Sequence, residues 1–105
     1  MKSSCMELEM GYTPSEFRKT LQGQFIDNTD YSCKEINSRE WLLTIDGEHQ
    51  GVAVVNIKIS EAAPRIIAML TLPVLKTHFQ FNHVTEVQRE NFISTFLRYF
   101  HKGGG

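Results

Sequence analysis

Residues 41–82 alternate apolar and polar side chains over most of their length, and this pattern limits the fold more than any other feature of the chain. Period-two alternation is the mark of a strand with one buried and one wet face. Trp41, Leu43 and Ile45 share one face of a first strand, 41–45. Asp46-Gly47 is a hairpin signal, because Gly accepts positive φ without steric cost, and Glu48, His49, Gln50 and Gly51 lengthen the return. A second strand covers 52–60. Ala53, Val55, Ile57 and Ile59 take one side, and Val52, Val54, Asn56, Lys58 and Ser60 the other. Glu61-Ala62-Ala63-Pro64 reads as a turn. The run 66–72 is apolar on both faces apart from Thr71, which is the pattern of a central strand covered on both sides. Pro73 has no N–H and reads as a break in the ladder. Residues 74–82 alternate again, with Leu75, Thr77, Phe79 and Phe81 against Lys76, His78 and Gln80.

Helical signals flank this stretch. Thr13-Pro14-Ser15-Glu16 combines an N-cap Thr, a Pro at the first helical position, and a Glu placed to close a capping box. Tyr12 and Phe17 are spaced for a hydrophobic staple. The helix is expected to run to about Gln22 and to stop at Gly23, with Phe17 and Leu21 on its buried face. Thr85-Glu86-Val87-Gln88 is a second capping box. Phe92, Ile93, Phe96, Leu97 and Phe100 then form one apolar stripe. Lys102 suits the last turn and Gly103 the stop, which leaves Gly104 and Gly105 as a free end. Met6, Leu8 and Met10 alternate with Glu7 and Glu9, as a short half-buried strand or a frayed arm would. Tyr31, Cys33 and the pair Glu35-Ile36 suit a polar edge strand.

The expected fold is a single α+β domain over 1–105. It is an antiparallel β-meander of four to five strands, with an N-terminal and a C-terminal helix packed on one face. That face carries Leu43, Val55, Ile57, Phe79 and Phe81. The alternative is a small helix-grip-like curved sheet. The chain has 105 residues, enough for one modest core.

Composition removes several classes of function. Apolar residues are 41% and charged residues 22%, so a disordered chain is not expected. The formal net charge of -1 provides no field for nucleic acid or acidic lipid. No apolar run reaches the length of a membrane span, and no apolar segment follows Lys2 as in a signal peptide. The expected location is therefore the cytoplasm, with Cys5 and Cys33 as free thiols.

The chemistry-bearing residues are sparse. His49, His78, His83 and His101 show no HxH or HxxxH spacing, and the two cysteines have no CxxC. No metal or cofactor is expected. No GxSxG, P-loop or GxGxxG is present. The terminal glycines follow a capped helix, unlike the strand-borne Gly-Gly tail of ubiquitin-like carriers. Binding is thus favoured over catalysis.

The sheet face away from the helices is the expected site of that binding. Val52, Val54, Ile67 and Met69, together with Leu42, form its apolar part, and Lys58, Lys76, His78 and Gln80 surround them. The function expected is that of a small accessory or adaptor protein, dimeric with itself or bound to another protein through this face. One alternative is a small-ligand carrier with a cavity between the sheet and the C-terminal helix. Another is a nucleic-acid-binding module using Lys58, Arg65, Lys76, His78 and Gln80. It is disfavoured because the strand aromatics point to the core side.

Overall fold

Seven elements make up the fold in a computed structural model that describes residues 3–45 and 53–101. They are β1 (Ser3–Met10), α1 (Pro14–Phe25), β2 (Tyr31–Asn37), β3 (Glu40–Ile45), β4 (Val54–Ile67), β5 (Leu70–Asn82) and α2 (Glu86–Tyr99). The strands form one antiparallel sheet in the order β1-β5-β4-β3-β2. The meander runs from β2 to β5, and the first strand then closes on the last, from Ser3↔Asn82 to Met10↔Leu75. The Asp46-Gly47 signal, Val52, His49, Lys102 and the terminal glycines lie outside the described residues.

α1 connects the two edges of the sheet. Getting from β1 to β2 means crossing four inter-strand spacings, about 19 Å. The 12 residues of α1 extend about 18 Å, so helix length and sheet width match. Its start is as read from the sequence. The Thr13 hydroxyl accepts from the Glu16 N–H at 3.1 Å, and the Glu16 carboxylate accepts from the Thr13 N–H at 2.9 Å. Its end is not, because the helix continues through Gly23 to Phe25. Gly inside a helix costs about 1 kcal/mol relative to Ala. Burying the Phe25 ring in line with Phe17 and Leu21, worth about 1.5–3 kcal/mol, more than offsets this. α2 begins at the second capping box, where Thr85 and Gln88 exchange bonds of 3.1 and 2.9 Å. Its stripe is narrower than expected. Phe92, Phe96 and Phe100 are buried, Ile93 is half-buried, and Leu97 is exposed.

Both helices cover the face carrying Trp41, Leu43, Val55, Ile57, Phe79 and Phe81. Aromatic rings fill the layer between sheet and helices. Phe96 meets Phe79 edge-on at 4.9 Å and stacks on Phe100 at 4.2 Å. Phe92 packs on Phe81 at 5.9 Å, and Phe17 on Trp41 at 5.5 Å. Each large side chain buried here contributes about 1.5–3 kcal/mol before ordering entropy. Met6, Leu8 and Met10 add the core-facing side of β1. Thr77 is buried among them, and its hydroxyl donates to Met10 Sδ at 3.3 Å.

The largest departure from the sequence reading lies between 61 and 74. Glu61-Ala62-Ala63-Pro64 is not a turn. It is an irregularity inside β4, with a register shift between Ala62 and Arg65. β4 carries on to Ile67, the chain reverses at Ala68-Met69, and β5 starts at Leu70. The run 66–72 is therefore the end of one long hairpin, not a covered central strand. Pro73 does not break β5. It lies past Met10↔Leu75, the last β1 pair, so no β1 partner needs its missing N–H.

Candidate interaction surface

The sheet ends before its longest hairpin does. β1 leaves β5 at Leu75, and β3 begins only at Glu40, opposite Lys58. Beyond these pairs, residues 61–74 continue as a two-stranded ribbon. Its five β5 residues extend about 17 Å. The described structure accordingly measures 50 × 27 × 26 Å. We refer to this ribbon as the arm.

The arm is apolar and exposed. Ile66 is 72% exposed, Ile67 52%, Met69 96%, Leu70 63% and Leu72 39%. The exposed Ile26, Ile36, Val87 and Leu97 sit elsewhere, and single apolar side chains of that kind are ordinary on protein surfaces. Five together are not. At roughly 180 Å² for a fully exposed side chain, the arm presents about 600 Å², the upper end of what monomers show. Register places Arg65, Ile67, Leu70 and Leu72 on one side of the ribbon, and Ile66 and Thr71 on the other. Pro64 and Pro73 each lack an N–H, which weakens both ribbon edges as templates for an added strand. Contact through side chains is what this element can offer.

At the root of the arm is a cleft of about 90 Å³. Met10, Gly11, Leu72, Pro73 and Val74 line it, and the Glu9–Arg65 ion pair, 3.5 Å apart, forms its rim. Metabolite pockets measure roughly 300–1,000 Å³, so this one suits a single side chain. The Gly11 Cα is near the Pro73 carbonyl, and an added Cβ would lie 4.0 Å from that oxygen.

The open sheet face is polar. Lys58 pairs across the strands with Glu40 and His78, and His78 in turn with Glu7. Lys76 lies between Ser60 and Glu9, and Gln80 between Asn56 and Cys5. The Asn56 amide donates to Glu40 at 2.9 Å. Lysines thus stand opposite carboxylates, an arrangement that neutralises the face instead of making a basic stripe.

The residues singled out from the sequence are placed in two groups. Val54, Lys58, Lys76, His78 and Gln80 share the open face, where Val54 and Leu42 are the apolar members and both are half-buried. Ile67 closes the hairpin opposite Leu70, and Met69 is the second turn residue, both at the far end of the arm. The structure does not bring Ile67 and Met69 next to Val54. Sequence reasoning missed Ile66, Leu70 and Leu72 as surface residues. The signal was there in the nine-residue spacing of Pro64 and Pro73, which brackets an apolar run with edge-blocking residues.

Two further titratable groups, Glu35 and Cys33, have structural surroundings. Glu35 accepts from Arg18 Nε at 2.8 Å, from Gln22 Nε2 at 2.7 Å and from the Trp41 indole N–H at 3.2 Å. The Arg18 hydrogen bond is the main reason that its carboxyl is held below the usual range. Burial pushes the Cys33 thiol up to about 11, away from reactivity. Cys5 and Cys33 lie on strands at opposite edges of the sheet, and both thiols are free. Among the described residues, no three His, Cys, Asp or Glu side chains converge as a metal site, and no helix is long and apolar enough to cross a membrane. The chain matches no model of a known protein family, and a comparison with curated proteins returns no significant match.

Proposed function

We propose that the protein is a small accessory or adaptor module that acts by binding protein, and that the arm is its contact element. One observation carries this reading: five large apolar side chains exposed together on a ribbon that projects beyond the sheet. Leaving about 600 Å² of apolar surface in water forgoes stabilisation that a partner can recover. The polar open face, with Lys58, His78 and Gln80, serves as the wet flank of that contact. The cytoplasm is the compartment that fits this reading, and the two free thiols support it.

A photo-crosslinking amino acid placed at Met69 tests the reading in the cell that makes the protein. A control carries the same group at Glu90, on the exposed side of α2. Protein adducts from position 69 and none from position 90 are expected. An absence of adducts from position 69, or equal adducts from both positions, overturns the reading.

A further inference from the structure

We propose that the arm's partner is a second copy of this chain, and that the two arms lie antiparallel about a two-fold axis. The tip of each then seats against the root of the other. This rests on the reading of the arm as a binding element.

The arm carries both halves of a contact. Its tip is a projecting side chain, Met69, with Ile67 and Leu70 just behind it on one side of the ribbon. Its root holds a cleft large enough for one side chain, bounded by Leu72 and Val74. Tip and cleft are about 13–16 Å apart along the same ribbon. One copy cannot bring them together, because the paired strands between them hold tip and root apart. Two ribbons side by side and antiparallel bring both pairs together at once, the tip of each in the cleft of the other. That is the condition for an isologous, closed contact: if residue i meets residue j, then j meets i.

Methionine suits the role, since its unbranched side chain adapts to irregular cavities. The charges agree as well. The cleft is rimmed by one cation and one anion, Arg65 and Glu9, so apposed copies do not present like-charged patches. Without Ile66, which faces the other way, Ile67, Met69, Leu70 and Leu72 offer about 450 Å² from each copy, about 900 Å² in all, the size of a weak, transient protein contact. A weak dimer is the result, one whose formation depends on concentration.

Sedimentation velocity of the full chain across roughly 1–300 µM provides the first test. The weight-average mass is expected to rise from that of one chain towards two. Met69→Lys should raise the dissociation constant at least about thirtyfold, since the contact is made at both ends of the interface. Well below the parent's dissociation constant, where the chain is single and the side chain exposed, it should leave the melting temperature unchanged. A chain that stays monomeric throughout overturns the proposal, and so does a Met69→Lys variant that dimerises like its parent.

The second test reads the orientation. In a Cys5→Ser/Cys33→Ser background, Met69→Cys and Val74→Cys are introduced together. They are separated by about 16 Å of extended chain, far beyond the ~7 Å Cα limit of a disulfide. A bridge between them can therefore form only between copies. Oxidation should give a covalent dimer from the double variant and little from either single one. A double variant that stays monomeric overturns the antiparallel arrangement, as does Met69→Cys alone bridging equally well. A monomeric chain that still yields adducts with a different protein from position 69 overturns the second copy and leaves the binding reading intact. An absence of adducts at position 69 overturns that reading.

Discussion

Glu35 and Trp41 are paired across β2 and β3, and the buried indole N–H donates to the carboxylate at 3.2 Å. The same oxygen accepts from Arg18 and Gln22 of α1. One side chain thus satisfies the only polar side-chain atom of a fully buried tryptophan and ties the first helix to the sheet.

Glu35→Ala should destabilise the fold more than Glu35→Gln, because the glutamine still offers an oxygen to the Trp41 N–H. Urea midpoints at neutral pH compare the two. The folded carboxyl is held below its usual range, so its stabilisation is present above that range and is lost as pH falls through the folded value. The gap between parent and Glu35→Gln should accordingly stay flat from pH 7 to about pH 5 and close in more acid solution. A gap that widens on acidification contradicts the assignment.

Phe96 sits between Phe79 and Phe100 at 4.9 and 4.2 Å. Phe96→Ala should cost about 3–5 kcal/mol. Leu97→Ala, one residue on and exposed, should cost well under about 1 kcal/mol. Chemical denaturation measures both. Equal losses would mean that α2 is rotated about its axis relative to this structure.

Ala68 has φ 54 at the first of the two turn residues, where glycine is at ease and a Cβ is not. Ala68→Gly should relieve about 1 kcal/mol of strain, less the greater entropy of glycine in the unfolded chain. The net effect should be neutral to stabilising. Ala68→Val, which branches at the same carbon, should destabilise the tip. Amide hydrogen exchange of residues 66–72 reports on both.

Cys33 is half-buried with its thiol pushed up to about 11, whereas Cys5 is exposed. At pH 8 only about one Cys33 thiol in a thousand is ionised. Iodoacetamide should alkylate Cys5 at least about tenfold faster, as followed by intact-mass spectrometry. Denaturing the chain should remove most of the difference, because burial is its largest cause.

Most of the sheet was legible because its pleat is written in strict alternation. Trp41, Leu43 and Ile45, and Leu75, Thr77, Phe79 and Phe81, reach the core side as their spacing requires. Both helix starts were legible because a capping box needs particular side chains three residues apart. The turn of the long hairpin was not. Ala68-Met69 carries no Gly, Asn or Asp, while Ala63-Pro64 imitates a turn and is absorbed as a bulge. The exposure of the arm was hidden for another reason. A run such as 66–72, apolar on both sides, reads the same whether it is already covered or still presents its surface. Only the register shows that β1 and β3 stop short of it.

The closure of β1 on β5 has a consequence for the order of events at the ribosome. Ser3–Met10 is made first, and its hydrogen-bonding partner Leu75–Asn82 comes some seventy residues later. At about 5–20 residues per second, the first strand waits several seconds for the strand it pairs with. Throughout that interval Met6, Leu8 and Met10 have no sheet to join, and Glu7 and Glu9 between them keep the nascent segment hydrated. A chain released before Leu75 therefore lacks the docking site for β1, and the sheet can close only once Leu75–Asn82 has been synthesised.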